Sequence, residues 1–325
     1  MVAEAVEVFE RHRPRLFGLA YRMLGSAADA EDVVQDTFLR WRNTRPGSVE
    51  APSAWLAKVA TNLCLNRLDS ARSRRERYVG QWLPEPVLTP DDALGPMETV
   101  EQRDTVSLAF LVLAERLTPG ERAVFVLREA FGYSHREVAE LVELSESNCR
   151  QLHRRARQRL AEAGPPRSPV DLPGHRALVE RFLVAARNGD LAGLERLLAE
   201  DVSSVADGNG TPGVARRPVR GRATVARYLA SSVSRGIGEA VVSIQEVNGA
   251  PAVLGWVGTT LVGVLAPQTT GTQTTGTQTT GTQTTGTQTT GAQITAIRIV
   301  VHPDKLRFLR DQAARLSRSP EVSGS

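Results

Sequence analysis

The sequence predicts a multidomain protein with two all-α regions, the second containing a helix-turn-helix, followed by an α+β region. Residues 1–72 and 98–164 have apolar residues at helical spacing, and a Pro-rich acidic linker lies between them. From Leu172 onward, helices give way to alternating strands. A chain of 325 residues is expected to hold two or three domains. The predicted parts are 1–72, linker 73–97, 98–164, linker 165–171, an α+β domain at 172–312 with an insertion at 268–292, and a disordered tail at 313–325.

Composition favours a cytoplasmic protein that meets a polyanion. The net charge is only +4, but arginines cluster at residues 72–77 and 150–159, which suits nucleic acid better than a small acidic substrate. The two cysteines are far apart and have no metal-binding spacing, so neither a disulfide framework nor a metal site is expected. The first residues lack the pattern of a signal peptide, and no stretch is long and apolar enough to predict a membrane span.

In the first helical region, the spacing predicts a helix over Asp29–Trp41. Val34, Phe38 and Trp41 share one face, and another face carries a row of carboxylates at Asp29, Asp32 and Asp36. Such a row is unfavourable in isolation. From spacing alone, a solvated face is favoured, and the alternative is a docking stripe for a basic partner helix.

The next predicted helix, Ser53–Leu68, has two faces of different character. One face carries the apolar residues Leu56, Val59, Ala60 and Leu63, and the other carries Trp55, Lys58, Asn62 and Asn66. An aromatic ring, a lysine and two amides can together stack on a base, neutralise phosphate and recognise base edges. The alternative that Trp55 is a core residue stays open.

The strongest local signal is a helix-turn-helix in the second helical region. Thr118–Glu121 and Ser134–Glu137 are both capping boxes, and Gly132 is expected to end the first of these helices. A short helix to Val142, a turn at residues 143–145 and a basic helix over residues 146–163 follow. The N-terminal part of such a helix contacts bases and later arginines contact phosphate. The predicted base-contacting residues are Ser147, Asn148, Arg150 and Gln151, and the predicted phosphate-contacting residues are Arg154, Arg155, Arg157 and Arg159.

Three segments in this order resemble the extracytoplasmic-function sigma factors. These are residues 27–38 (AADAEDVVQDTF), residues 55–68 (WLAKVATNLCLNRL) and residues 117–125 (LTPGERAVF) with the helix-turn-helix that follows. The resemblance implies that Asp29, Asp32 and Asp36 bind the RNA polymerase core. It also implies that Trp55, Lys58, Asn62 and Asn66 contact the −10 promoter element, that the loop at residues 43–52 holds a flipped base, and that the helix-turn-helix binds the −35 element.

The second half resembles the SnoaL-like extension that some of these sigma factors carry. The linker motif Trp82, Leu83, Pro84, Glu85 and Pro86 resembles a motif of that subfamily. Residues 207–211, DGNGT, stand where relatives have DGGGK, so Asn209 replaces a glycine and the lysine is missing. The resemblance implies that the extension, through this motif and Asp207, Gly208, Asn209 and Gly210, regulates the sigma factor in place of a separate anti-sigma protein.

The insertion at residues 268–292 repeats a five-residue Thr/Gln/Gly unit. Its period fits neither a strand nor a helix, and it has no residue that builds a core. It lies between two apolar strand patterns, at a position where relatives have a short turn. We expect a tolerated expansion of a hairpin loop, since loop closure costs rise slowly with length; the alternative is a partner-binding arm.

The leading functional hypothesis is an alternative sigma factor that performs no chemistry and needs no cofactor. Two other classes remain: an α+β domain that binds a small ligand or retains enzyme activity, and an autonomous helix-turn-helix regulator. The α+β region offers few candidate acid–base groups, namely His175, His302, Tyr228 and Asp207, without an evident pair.

Overall fold

The computed structural model describes residues 2–44, 48–76, 78–89, 94, 100–162, 172–236, 240–270, 273–274 and 289–316. Contacts divide the chain into two compact units. The first comprises Met1–Pro165 together with two stretches from later in the chain, Glu246–Gly249 and Asp304–Ser325. The second comprises Pro166–Gln245 and Ala250–Pro303.

The first unit begins with three helices: α1 (Val2–Leu24), α2 (Ala27–Arg42) and α3 (Pro52–Glu76). The predicted helices at 29–41 and 53–68 are therefore confirmed, and both are longer than predicted. Five helices follow: α4 (Val100–Asp104), α5 (Leu108–Ala114), α6 (Pro119–Glu129), α7 (His135–Val142) and α8 (Glu146–Glu162). One apolar cluster includes Phe17 of α1, Leu56 of α3 and Val126 of α6, so the two helical regions share a core.

The capping predictions are confirmed at α6 and α7. The side chains of Thr118 and Ser134 each accept a hydrogen bond from the backbone N–H three residues later, and Glu121 and Glu137 complete the two boxes. Helix α6 ends at Glu129, earlier than expected, and Gly132 has the left-handed φ of +70° that its glycine allows. The predicted short helix, turn and long helix are present.

A buried arginine joins α6 to the end of α1. Arg122 donates to the backbone oxygens of Met23 (2.7 Å) and Ala114 (2.9 Å) and pairs with Glu115 at 2.7 Å. These hydrogen bonds and the ion pair offset the cost of removing the guanidinium charge from water. The contact fixes the position of α6 against the first three helices.

The second unit contains α9 (Leu172–Arg187), α10 (Leu191–Leu197) and α11 (Arg222–Gly236) against a sheet. The sheet order is β2-β1-β8-β5-β4-β3. Its strands are β1 (Leu198–Asp207), β2 (Val219–Arg220), β3 (Val241–Val247), β4 (Ala250–Val257), β5 (Thr260–Thr270) and β8 (Gln293–Val300), with β6 (Gln273–Thr274) and β7 (Thr289–Thr290) forming a separate ladder. β1 and β8 pair in parallel, whereas β5 pairs antiparallel with β4 and β8, so the sheet is mixed. Phe182, Leu194, Val225 and Ile297 lie in the buried core.

The sequence pair Asn248-Gly249 predicts a two-residue hairpin turn, and the structure has that turn between β3 and β4. Asn248 and Gly249 both have positive φ, +53° and +77°, as a two-residue hairpin turn requires. The prediction for the repeat's position is also confirmed, because β5 pairs with β8 from Val264↔Val300 to Thr270↔Gln293. The first residues of the repeat therefore extend β5, and most of the rest lies outside the described residues.

Helix α12 (Pro303–Leu316) corrects one prediction. A disordered tail was expected from residue 313, but the helix continues to Leu316. The reason is packing: Leu306, Leu309 and Gln312 are buried, and Gln312 accepts a hydrogen bond from Leu88 N–H at 3.0 Å. Residues 317–325 lie outside the described part of the chain.

Candidate DNA and polymerase interface

The three carboxylates of α2 converge on one arginine. Ser26 caps the helix by accepting from Asp29 N–H, which starts the helix so that residues 29, 32 and 36 share a face. The Arg67 guanidinium of α3 lies 3.7 Å from Asp29, 3.2 Å from Asp32 and 2.9 Å from Asp36. These ion pairs raise the pKa of Arg67, although its partial burial acts in the opposite direction. The repulsion expected within the row is thus offset inside the unit.

Residues of the predicted −10 face lie in different environments. Trp55 is partly buried, packs against the core and lies 5.6 Å from the ring of Trp41. Asn62 is partly buried and Asn66 is exposed. Lys58 pairs with Glu143 of the helix-turn-helix turn at 2.9 Å. Trp55 is therefore partly a core residue, as the alternative interpretation proposed, with part of its ring still exposed. Lys58 already has a carboxylate partner within the unit.

The start of α8 presents the predicted base-contacting residues. Ser145 Oγ accepts from Asn148 N–H at 3.2 Å, which begins the helix, and the buried Cys149 and Ala156 hold it against the core. Asn148 is partly buried, whereas Ser147, Arg150 and Gln151 are exposed. Arg150 pairs with Glu146 one turn earlier at 2.5 Å. An exposed pair of this kind contributes little and is readily exchanged for another partner.

The arginines later in α8 divide into two groups. Arg154, Arg155 and Arg157 are exposed. Arg159 instead pairs at 2.5 Å with the buried capping-box residue Glu121. The Arg159 side chain is nevertheless 44% exposed, so its phosphate contact stays a prediction.

Two histidines help to place α8 against α6 and α7. His153 Nε2 lies 2.7 Å from Glu129 Oε1, and the His135 ring lies 5.4 Å from that of His153. Desolvation, with a smaller effect from Arg128, lowers the pKa of His135. Among the described residues no group of three or more ligating side chains could hold a metal ion.

The linker motif is held within the first unit. Glu85 accepts hydrogen bonds from Ala27 and Ala28 N–H at 2.8 and 3.0 Å and from Ser26 Oγ at 2.9 Å, so it caps α2. Mainly because of desolvation, its pKa is raised. Pro84 and Pro86 are buried on either side. A carboxylate at a helix N-terminus also interacts favourably with the helix dipole.

Sequence reasoning missed a lysine that contacts the linker motif. Lys305 of α12 donates to Leu83 O at 2.5 Å, and its ammonium lies 4.3 Å from the Trp82 ring and 4.9 Å from that of Tyr78. Cation–π contacts and a backbone acceptor offset the desolvation of this buried ammonium. Nothing local in the sequence around Lys305 indicates these partners.

Sequence reasoning also missed the role of Asn248, which is buried. Its Oδ1 accepts from Val87 N–H at 3.1 Å, and its Nδ2 donates to Tyr21 Oη at 2.7 Å and to Val106 O at 2.8 Å. Tyr21 donates onward to Glu85 O at 2.6 Å. One amide thus connects α1, the linker and the segment before α5. The Asn-Gly signal predicts the turn but not these long-range partners.

The motif at Asp207, Gly208, Asn209 and Gly210 forms a turn after β1 in the second unit. Asp207 is fully buried and its backbone oxygen accepts from Val301 N–H at 2.9 Å. Asn209 has φ +45° and its amide lies 3.1 Å from His302 Nε2. Asparagine tolerates this backbone conformation, so Asn209 fits the turn without a glycine.

A helix-turn-helix with an exposed basic helix, joined to a three-helix region with an acidic face, defines a promoter-recognition protein of the sigma-70 type. Residues 8–74 match the Sigma-70 region 2 family and residues 107–160 match Sigma-70, region 4. None of the described helices has the length and apolarity needed to cross a membrane.

The chain is 42% identical over 231 residues to the ECF RNA polymerase sigma factor SigJ of Mycobacterium tuberculosis, covering 71% of this chain and 73% of that protein. It is 35% identical to the probable ECF sigma factor SigI of the same organism, covering 78% and 85%. The crystal structure of M. tuberculosis SigJ superposes with a TM-score of 0.66 at 31% identity, covering 93% and 98%. The chain belongs to the extracytoplasmic-function sigma factors. It is an alternative sigma factor that directs RNA polymerase to promoters, with a SnoaL-like α+β extension.

Proposed function

We propose that this sigma factor binds core polymerase through Asp29, Asp32 and Asp36 and reads both promoter elements with the residues predicted above. In this proposal Trp55, Lys58, Asn62 and Asn66 contact the −10 element. Ser147, Asn148, Arg150, Gln151, Arg154 and Arg157 contact the −35 element. The protein acts in the cytoplasm, catalyses no reaction of its own and needs no separate anti-sigma protein.

The observation that carries the proposal is the combination of an acidic face on α2 with an exposed basic face on α8. The acidic face is complementary to a basic helix of a partner, and the basic face to a phosphate backbone. Arg67, which is partly exposed, neutralises the acidic face within the unit. A partner arginine or lysine replaces it at small cost, because exposed ion pairs contribute only about 0–1 kcal/mol.

We further propose that the extension regulates the chain through the linker. Support comes from Lys305 and Asn248, which hold residues 82–88 by hydrogen bonds and ring contacts within the first unit. In this same arrangement Lys58 of α3 is paired with Glu143 after α7. In this proposal the promoter-bound conformation releases Lys58 from Glu143 so that Lys58 can contact the −10 element. Weakening the linker contacts is then expected to favour the promoter-bound conformation.

Promoter-specific transcription with purified core polymerase tests the proposal. Deleting residues 167–325 would also remove Glu246–Gly249 and α12, which belong to the first unit, so point variants of the full chain are the better probe. Asp36→Asn is expected to weaken core binding, and Arg154→Gln to weaken promoter binding with core binding unchanged. Lys305→Met is expected to change transcription without changing core affinity. Absence of transcription from every candidate promoter with the unaltered chain would overturn the proposal.

A further inference from the structure

A third arginine cluster lies in the extension, at residues 216–222, RRPVRGR. Four arginines occur within seven residues, and the sequence has no Asp or Glu from residue 208 to residue 238. Short basic runs of this kind are typical of nucleic-acid-binding surfaces, although many are only solvated. The structure distinguishes the two cases by how the arginines are held and what they contact.

The backbone of this arginine loop is fixed at its C-terminal end, over residues 219–222. Arg220 lies in β2 opposite Ser203 of β1, and Gly221 N–H donates to Val202 O at 2.9 Å. Gly221 has φ +84°, and Arg222 Nε donates to Leu198 O at 3.0 Å at the start of α11. A loop fixed in this way loses little backbone entropy when its side chains bind a ligand.

The guanidinium groups of Arg216, Arg217 and Arg220 are available to bind an anionic ligand. Arg216, Arg217 and Arg220 are exposed, and among the described residues none of the three has a carboxylate within salt-bridge distance. In the same unit the exposed Arg176 pairs with Glu180 at 3.1 Å, and the exposed Arg196 pairs with Asp190 at 3.9 Å. The positive charge of the loop is therefore not compensated locally.

We propose that Arg216, Arg217 and Arg220 bind the phosphate backbone of duplex DNA when the sigma factor is on a promoter. Guanidinium groups match phosphate in a bidentate manner. The loop has no aromatic residue to stack on an unpaired base and no exposed large apolar anchor of the kind that dominates protein interfaces. Duplex DNA therefore fits better than single-stranded DNA or an acidic protein surface.

Chain connectivity favours the same partner. Only nine residues, 163–171, separate the last residue of α8 from the first residue of α9. The extension is therefore tethered to the helix proposed to hold −35 DNA, and a short tether gives a second site a high effective concentration of DNA. This inference rests on the proposed −35 role of α8, and the same unpaired, exposed arginines occur there at Arg154, Arg155 and Arg157.

The test compares two triple variants of the full chain. In the loop variant Arg216, Arg217 and Arg220 are each changed to Gln. In the control variant Arg176, Arg181 and Arg187, three exposed arginines of α9, are changed to Gln, which removes the same charge from the same unit. Holoenzyme binding to promoter duplex is measured over a salt series, and circular dichroism checks that both variants fold.

We expect the loop variant to reduce the slope of log K against log salt by about 2 to 3, since each phosphate contact contributes about 0.9. The control variant is expected to change this slope by less than about 0.9, the contribution of one phosphate contact. The full chain without polymerase, binding random-sequence duplex at low salt, should show the same difference; this arm does not depend on promoter-specific transcription. Equal slopes for the two folded variants would overturn the proposal. So would a loop variant that loses core affinity without DNA, which would indicate an acidic protein partner.

Discussion

Lys58 Nζ lies 2.9 Å from Glu143 Oε1, so a residue of the proposed −10 face is paired with the residue that ends α7 of the helix-turn-helix. Glu143 has φ +56°, a left-handed conformation that non-glycine residues rarely adopt. The hydrogen bond from the Lys58 ammonium lowers the pKa of the Glu143 carboxyl, which favours its carboxylate form. The helix proposed to contact the −10 element and the helix-turn-helix proposed to contact the −35 element are thus linked by an ion pair.

Breaking this pair by Glu143→Gln is expected to raise open-complex formation modestly. The physical reason is that the pair holds Lys58 away from the proposed −10 contact, and an exposed ion pair is weak. Permanganate footprinting with holoenzyme provides the measurement. Glu140→Gln, which removes an exposed carboxylate from the same helix, is the control. An equal rise in both variants would show that general charge, rather than the pair, is responsible.

Changing Arg67 to Met tests whether the acidic row needs an internal cation. The substitution retains the aliphatic stem but leaves Asp29, Asp32 and Asp36 to repel one another. We expect the free energy of unfolding to fall by about 1 kcal/mol, equivalent to a fall in Tm of about 2–8 °C. Both effects should be smaller at high salt, because salt screens the repulsion. Thermal unfolding at two salt concentrations measures it. Arg40→Met, at an exposed site on α2, should leave Tm nearly unchanged; an equal fall there would argue against a specific network.

The Glu85 carboxylate makes a pH-dependent contribution to stability. Burial raises its pKa above the unfolded value, so its stabilising effect is full below about pH 4.5 and is lost as the pH rises through the folded pKa. Glu85→Gln keeps an oxygen for Ala27 and Ala28 N–H but cannot titrate. The wild type is therefore expected to gain stability relative to this variant as the pH falls from 7 towards 4.5, in urea unfolding. A difference that is constant over that range, or grows as the pH rises, contradicts the assignment.

Asn248 allows the hydrogen-bond hub to be separated from backbone strain. Asn248→Gly keeps the positive φ but loses three hydrogen bonds, and we expect a loss of about 2–4 kcal/mol in the free energy of unfolding. Asn248→Ala adds strain at a left-handed position and should be about 1 kcal/mol worse. Urea unfolding followed by tryptophan fluorescence gives the order. Asn209→Gly, at an exposed left-handed asparagine, should cost much less. If Asn248→Ala were as stable as Asn248→Gly, the backbone argument would fail.

Local patterns were sufficient to predict α2, α3 and the three helices α6, α7 and α8, together with both capping boxes, the Asn-Gly turn and the strands on either side of the repeat. Each of these features is determined by neighbours in sequence. The contacts of Arg67, Asn248 and Lys305 could not be predicted in the same way. Their partners lie far along the chain, and a single arginine, asparagine or lysine is compatible with many environments. The extent of α12 was missed for a related reason, since its last turn depends on the contact between Gln312 and Leu88.

The two arginines of α8 should affect promoter binding differently. Arg150 lies near the start of the helix and pairs at an exposed site with Glu146 of the same helix, its one ion-pair partner among the residues the structure describes. It can therefore turn towards a base edge. Arg157 is exposed two turns later, where a backbone contact is expected. Arg150→Ala should therefore relax sequence preference at the −35 element, by about 1–3 kcal/mol for the base pair concerned. Arg157→Ala should weaken binding to all sequences equally and reduce the salt slope by about one. Competition binding of holoenzyme to a −35 library at several salt concentrations separates the two effects. If both variants changed affinity uniformly, Arg150 would be a phosphate-contacting residue; if both changed only the melting temperature, the exposed face of α8 would not be the one that meets DNA.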